Sequence, residues 1–265
     1  MNIYCMVAKN RKQLQDLGPL PDDLIDELLL LGHKVDVGFA DDFLLPTCDI
    51  KNQYDLYLMK AHDDLWLSVA AILHSDGAWM VNSYPSSIAA ENKIVAAHRL
   101  ETSGIPVPKT WITTNLNNLR RQVAVHPVLI KPHIGGMGRS SLIKRIDNER
   151  DLASVIPPCE TYIIQAYVPG PVEDLKVYVI GDAVFSLRKK FAPRNFSQPG
   201  KLCHLTSEVK SIAQKCRHAF GLDLFGLDII ESESGPVVVD INYFPSYNGV
   251  PDAGTLLAAY IDQLV

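Results

Sequence analysis

The chain of 265 residues is short of cationic side chains: 25 Lys and Arg stand against 30 Asp and Glu, for a formal charge of −5. That balance removes the broad basic surface that nonspecific nucleic-acid binding needs and leaves only local basic pockets to consider. No apolar run reaches the roughly 18 to 20 uncharged residues that cross a bilayer. The opening MNIYCMVAKNRK sets a short strand where a secretory signal would need a basic start and an apolar middle. Five cysteines (Cys5, Cys48, Cys159, Cys203, Cys216) are scattered, with no CxxC or Cys/His spacing that would surround zinc. They read as plain thiols of a reducing compartment, and the expected location is the cytoplasm, with neither nucleic acid nor membrane as partner. Internal repeats, low-complexity tracts and long like-charge blocks are also missing. What is present is the composition of a globular protein, 47% apolar and 21% charged, long enough to bury a real core.

The first third reads as an α/β unit. Ile3-Tyr4-Cys5-Met6-Val7 is a β-type run, and Leu24, Ile25, Leu28, Leu29 and Leu31 recur at helical spacing before Gly32, a helix stop. Val35-Asp36-Val37, residues 54–59 and Met80-Val81 predict further strands, and residues 65–74 a helix closed by Gly77. This alternation implies a parallel sheet. One helix is expected across residues 86–103, ended by Gly104 and Ile105-Pro106-Val107-Pro108, because proline lacks the N–H and restrains its predecessor. Beyond Trp111 strands dominate, at 127–131, 141–143, 162–165, 176–180, 183–187, 227–230 and 237–241, with helices near 116–123 and 206–220. Gly181-Asp182 between two β-prone runs predicts a hairpin. Seams near Tyr84-Pro85 and Pro169-Gly170-Pro171 divide the chain into 1–84, 85–168 and 169–265.

Three constellations carry chemistry. In the first, Ile130-Lys131-Pro132 ends a strand and runs into Gly135-Gly136-Met137-Gly138-Arg139-Ser140. Glycines let backbone N–H groups approach phosphate oxygens, and Lys131 adds a compact charge. Neither the GxxxxGK[ST] loop nor the dinucleotide fingerprint is matched, and a glycine-rich hairpin taken alone is a tight turn more often than a nucleotide lid. In the second, Asp228 stands on one β-prone run and Asp240 and Asn242 on the next. The last two share a face by the period-two rule, so the three form an all-oxygen set suited to Mg²⁺. In the third, Lys176, Arg188, Lys189, Lys190, Arg194 and Lys201 stand against Asp182 alone, a candidate anion site in an acidic protein.

In order along the chain these pieces resemble the ATP-grasp superfamily: Val81-Asn82-Ser83 then the helical Lys93, Ile130-Lys131-Pro132, the glycine loop, Gln165-Ala166-Tyr167-Val168, and Asp228 with Asp240-Ile241-Asn242. The resemblance implies an α/β protein of α+β lobes: an N-terminal α/β pre-ATP-grasp domain (1–84), a central lobe with the glycine loop (85–168) and a C-terminal lobe with the metal site (169–265). It implies that ATP lies between the two lobes with Lys93 and Lys131 on its phosphates. Gly135, Gly136, Met137, Gly138, Arg139 and Ser140 would cover it, and Gln165, Ala166, Tyr167 and Val168 would meet adenine. Asp174-Leu175-Lys176 is similar to the Asp-x-Arg of ribosomal-protein glutamate ligases and their lysine-biosynthesis relatives, which sets Asp174 on the ribose and Lys176 on the phosphates. Arg194-Asn195 and Arg188 resemble the basic residues those ligases place near an acyl phosphate. The run Asp240-Ile241-Asn242-Tyr243-Phe244-Pro245-Ser246-Tyr247 looks more like inositol phosphate kinases, whereas the glycine loop and the Asn82/Lys93 region favour the ligases.

The expected activity is therefore an ATP-dependent carboxylate–amine ligase. Lys176, Arg188 and Arg194 would be catalytic, and Asp228, Asp240 and Asn242 would hold Mg²⁺, with two ions and Mn²⁺ as a substitute. The substrates would be a small-molecule or peptide carboxylate and an amine, and the chain a homodimer. The alternatives are a kinase acting on a polyol or inositol phosphate hydroxyl, and a nucleotide-binding protein without turnover.

Overall fold

The computed structural model describes residues 1–7, 23–42, 44–133, 143–153, 161–190 and 199–264. The N-terminal unit is a four-stranded parallel sheet in the order β2-β1-β3-β4, built from β1 (Asn2–Val7), β2 (Lys34–Phe39), β3 (Leu56–Met59) and β4 (Met80–Val81). Helix α1 (Leu24–Leu30) connects β1 to β2 and α2 (Asp64–Ser75) connects β3 to β4. The α2 start is set by Asp63, whose carboxylate accepts the Trp66 N–H at 3.0 Å, an N-cap that satisfies an otherwise orphaned donor. Trp66 is fully buried and donates its indole N–H to the Val7 carbonyl at 2.9 Å, tying helix to sheet. Gly32 and Gly77 take φ of 85° and 76°, the left-handed stops read from the sequence. Gly38 on β2 lies beneath Tyr4 and Trp66, and a methyl group there would run into both rings. Gly38→Ala is expected to cost about 1–3 kcal/mol by overpacking, read as a lowered thermal midpoint.

The single helix expected over 86–103 is two. α3 (Tyr84–Glu91), capped by Ser83 with a proline in its first turn, stops at Asn92, whose ψ of 103° leaves helical space. The Asn92 side chain then accepts the N–H groups of Ile94 and Val95, at 3.1 and 3.3 Å, and starts α4 (Lys93–Thr102). An asparagine competing locally with the helix ladder is the cause, and Lys93 becomes the first residue of a helix instead of a mid-helix side chain.

The central sheet runs β5-β8-β6-β7, all antiparallel, from β5 (Thr110–Thr113), β6 (Val128–Pro132), β7 (Lys144–Ile146) and β8 (Tyr162–Ala166). β7 lies just beyond the expected 141–143. The expected helix near 116–123 is a 3-10 turn (Leu116–Leu119) leading into α5 (Arg120–Val123), and α6 (Glu149–Ala153) follows β7. The C-terminal sheet runs β11-β10-β9-β12-β13, from β9 (Glu173–Ile180), β10 (Ala183–Lys190), β11 (Lys201–Leu202), β12 (Leu224–Ser232) and β13 (Gly235–Tyr243). The expected hairpin is present: Ile180 pairs with Ala183 across Gly181, whose φ is 56°. α7 (Ser207–Phe220) begins at a Thr206 cap and ends at Gly221 with φ 64°, and α8 (Ala253–Asp262) closes the chain against α1.

One hydrophobic cluster runs from the N-terminal sheet into the C-terminal sheet, including Leu58, Trp66, Leu224, Ile229 and Tyr243, whereas the central sheet has its own around Val128, Ile130, Tyr162 and Ile164. Asn82, at the end of β4 and 3% exposed, joins the first pair. Its Nδ2 donates to the Leu224 carbonyl at 2.7 Å, and its Oδ1 accepts the N–H groups of Asp223 and Leu224, both at 2.9 Å. The start of β12 is thus fixed by a side chain of the parallel sheet.

Candidate active site

The C-terminal sheet brings the acidic residues together by register. Lys176 of β9, Asp228 of β12 and Asp240 of β13 are direct cross-strand partners in one row, and Asn242 lies two residues on, opposite Gly226. Opposed carboxylates on neighbouring strands repel, so each needs a cation. Lys176 Nζ lies 2.7 Å from Asp228 Oδ2, and Lys93 Nζ lies 2.6 Å from Asp240 Oδ1. Lys93 also donates to the Ile241 carbonyl at 2.9 Å and to Asn242 Oδ1 at 3.4 Å, while Asn242 Nδ2 donates to Asp240 Oδ2 at 3.3 Å. The Lys93 backbone N–H donates to the His133 carbonyl at 2.7 Å, which ties the helix start to the exit of β6. Lys131, on β6, reaches across to the Val239 carbonyl at 3.3 Å. The register slips beside Asp228, so that Ile229 pairs with Val238 and Val239 is the extra residue of a β-bulge, which gives Lys131 an acceptor outside the ladder.

The charges are interlocked. Desolvation would raise Asp240, but the Lys93 and Lys131 ammoniums more than reverse it and hold the carboxyl below its usual range. Desolvation lowers Lys131 below an ordinary lysine. For Lys176 desolvation also acts downward, yet Asp228, by charge and hydrogen bond, brings its value above the ordinary one. Asp174, 4.0 Å from Lys176 Nζ, is raised by desolvation.

Of the residues expected from the sequence, Lys93, Lys131, Asp174, Lys176, Asp228, Asp240 and Asn242 meet in this cluster. Arg188 does not. It pairs with Leu175, whose other partner, Ile229, is buried, so Arg188 lies on the opposite face of the sheet from Lys176 and forms an ion pair with Glu231 at 2.6 Å. The side chains alternate, and Lys189, the register partner of Asp174, is the one that faces the cluster; desolvation, then Lys176, lowers its pKa. Arg188→Ala is accordingly expected to change kcat by less than about threefold, as for an exposed ion pair, and Lys189→Met to lower kcat/KM by roughly tenfold or more. Steady-state kinetics on the two variants checks this.

The segment Gln165, Ala166, Tyr167 and Val168 lies where β8 leaves the central sheet. The Ala166 and Tyr167 N–H groups are already given to the Lys109 and Pro127 carbonyls, both at 2.9 Å, so these two donors are not available to a base. Gln165 is buried, and its Oε1 has no partner among the described residues. Gly135, Gly136, Met137, Gly138, Arg139, Ser140 and Arg194 lie outside the described residues.

As a metal site the donors are two carboxylates and one amide oxygen, all hard. Among the described residues no three His, Cys, Asp or Glu side chains cluster to hold an ion. This meagre set fits Mg²⁺, which takes one or two protein carboxylates and completes its shell with water and substrate phosphates. Among the described residues no helix is long and apolar enough to cross a membrane.

A parallel N-terminal sheet followed by two antiparallel lobes, with lysines of one lobe aimed at carboxylates of the other, is the ATP-grasp architecture. D-cycloserine synthetase DcsG has the same fold, with a TM-score of 0.77 over 99% of both chains at 16% identity. The model of the RimK-like ATP-grasp domain matches residues 90–264, and the chain belongs to that family. It is 29% identical over 251 residues to the alpha-aminoadipate–LysW ligase LysX of Saccharolobus solfataricus, covering 87% of this chain and 88% of that enzyme. It is also 28% identical over 183 residues to the inositol-tetrakisphosphate 1-kinase of Danio rerio, covering 57% of this chain and 45% of the kinase. The ligase relative is matched almost end to end, the kinase over less than half its length. The chain is thus a homologue of ATP-dependent, ADP-forming ligases.

Proposed function

We propose that the protein joins a carboxylate to an amine at the expense of ATP, through an acyl phosphate. The observation that carries this reading is the row Lys176, Asp228 and Asp240 with Lys93 and Lys131 beside it, because phosphoryl transfer needs positioning and charge neutralisation more than covalent chemistry. Lys93, Lys131 and Lys176 bind the phosphates, exchanging carboxylate and carbonyl partners for phosphoryl oxygens. Asp228, Asp240 and Asn242 would hold Mg²⁺, or Mn²⁺ in its place, as one ion or two. Bound there, the metal neutralises the charge that develops on the transferred group. Asp174 and the exit of β8 orient the nucleoside, and Lys189, in place of Arg188, attends the acyl phosphate. Residues 1–84, 85–168 and 169–265 then serve as substrate-side domain, nucleotide lid and metal-bearing lobe of a cytoplasmic enzyme. The substrates are a small-molecule or peptide carboxylate and an amine.

The test is ADP and inorganic phosphate release with Mg²⁺-ATP against a panel of amino acids, short peptides and inositol phosphates. Equal amounts of both products, dependent on amine, are expected. ADP without phosphate, together with a phosphorylated acceptor, would replace the ligase by a kinase.

A further inference from the structure

A histidine beside the site has no part in holding ATP or metal. The chain leaves β3 into Lys60-Ala61-His62, and the N–H groups of Lys60 and Ala61 both donate to the Met6 carbonyl, at 3.2 and 3.0 Å, bending the segment over the end of β1. This is the carboxyl edge of the parallel sheet, the edge at which open α/β sheets bind ligands. It abuts the strand that carries Asp240 and Asn242. Tyr243, the next residue, donates its hydroxyl to the Ala61 carbonyl at 2.6 Å, and its ring centroid lies 4.2 Å from that of His62. His62 Nδ1 lies 2.8 Å from Oε2 of Glu91, the last residue of α3, two positions before Lys93. The imidazole is thus held between the end of the metal-binding strand and the end of the helix that precedes Lys93.

A carboxylate can only accept, so His62 Nδ1 carries the hydrogen and the Nε2 lone pair is left free. Nε2 has no hydrogen-bond partner among the described residues and remains within reach of solvent, the side chain being 17% exposed. Glu91 is 4% exposed and spends its one side-chain hydrogen bond among the described residues on His62. An imidazole with one nitrogen fixed by a buried carboxylate and the other open is the geometry of a general base with its orienting group. His133, whose carbonyl meets the Lys93 N–H, lacks such a group: its Nδ1 is buried without a partner among the described residues. The titratable groups around His62 are Glu91 on α3, Lys60 on its own segment, Lys93 on α4 and Tyr243 on β13, while Asp63, the next residue, caps α2. Burial lowers the His62 pKa below its ordinary value; Glu91 opposes the shift and the two lysines add to it, so the ring is neutral at pH 7.

A substrate amine arrives at neutral pH as an ammonium, since even an α-amino group titrates at about 8, and an ammonium has no lone pair with which to attack. In the proposed ligase Lys93, Lys131 and Lys176 are cations committed to phosphates, Asp228, Asp240 and Asn242 are committed to metal and Asp174 to the nucleoside, so none of them takes that proton. We propose that His62 is the general base of the amide-forming step, with Glu91 as its positioning residue. Nε2 accepts one proton from the substrate ammonium, the freed nitrogen lone pair bonds to the acyl carbon, and the C–O bond to phosphate breaks with its electron pair leaving on phosphate. The second nitrogen proton goes to the departing phosphate, and the imidazolium returns its proton to water. The inference rests on the ligase reading and deepens it: the amine enters at the carboxyl edge of the parallel sheet, and amide formation, not acyl-phosphate formation, depends on His62.

The test sets hydroxylamine, whose nitrogen is largely uncharged at neutral pH, against the amino acids and short peptides of the panel as nucleophiles, on the full chain with Mg²⁺-ATP. The proteins are wild type, His62→Asn and Glu91→Gln. Asparagine keeps a donor where Nδ1 stands, so the contact with Glu91 and the melting temperature persist while the base is lost. His62→Asn should lower amide formation by roughly a hundredfold or more, and hydroxamate formation by less than about threefold. In wild type, kcat/KM for the amine should fall below about pH 6.5 as the imidazole takes up a proton, and this limb should be missing in His62→Asn. Independently of turnover, ¹⁵N NMR of histidine-labelled protein should show His62 with its hydrogen on Nδ1, an arrangement that Glu91→Gln loses. Equal losses with both nucleophiles would make His62 merely structural and overturn the proposal, as would undiminished amide formation in His62→Asn or a hydrogen on Nε2 in wild type. Wild-type protein that forms neither hydroxamate nor amide while His62 keeps its Nδ1 hydrogen would instead overturn the ligase reading, and this inference with it.

Discussion

Asp240→Asn is expected to lower turnover by roughly a thousandfold or more while raising the KM for ATP only severalfold. Asparagine keeps the size and one oxygen but removes the charge that pairs with Lys93 at 2.6 Å and that an entering metal ion needs. Lys93 retains the Ile241 carbonyl at 2.9 Å and Asn242 at 3.4 Å, so the ammonium stays in place and the nucleotide still finds its phosphate contacts. The loss therefore falls on the transition state, where charge on the transferred group is greatest. Single-turnover ADP formation, set beside nucleotide binding followed by fluorescence, separates the two. Weakened binding with an undiminished chemical step would show that Asp240 serves the ground state.

Asn82→Ala is expected to destabilise the fold by about 2–4 kcal/mol, because it strips the partner from two backbone N–H groups, each worth about 1–3 kcal/mol when left unsatisfied. Those groups are the half-buried Asp223 N–H and the buried Leu224 N–H; the Leu224 carbonyl keeps the Phe244 N–H at 2.7 Å, and Leu224 opens the strand that carries Asp228. Thermal melting should show a drop of roughly 10 °C. The variant should also lose kcat at temperatures where it remains folded, since the β4 end no longer fixes β12. A melt within two degrees of wild type would mean that the interface between the two sheets holds without this residue.

Much of this was legible in the sequence, for identifiable reasons. Strict alternation makes Asp240 and Asn242 share a face, and the strands β12 and β13 are long and β-branched enough to be read without ambiguity. Gly32, Gly77 and Gly104 mark helix ends because each takes a positive φ there. The break at Asn92 leaves no mark in the sequence since asparagine is tolerated inside helices, and only its ψ of 103° shows it acting as a cap. The short β11 and α8 escaped too; α8 is Ala- and Leu-rich, buries Leu257, Ala258 and Ile261, and starts without a side-chain cap. Arg188 and Lys189 are not separable in the sequence, because a cluster of adjacent cations gives no phase, and the register with Asp174 supplies it.

The most direct test of the central claim is oxygen transfer. With an accepted substrate whose carboxylate carries ¹⁸O, an amine, Mg²⁺ and ATP, the acyl-phosphate route moves one carboxylate oxygen into the released phosphate, seen by mass spectrometry or as an upfield ³¹P shift. One ¹⁸O per phosphate released is the predicted result. Unlabelled phosphate alongside amide product would contradict it, because the carboxylate would then not have attacked the γ-phosphorus.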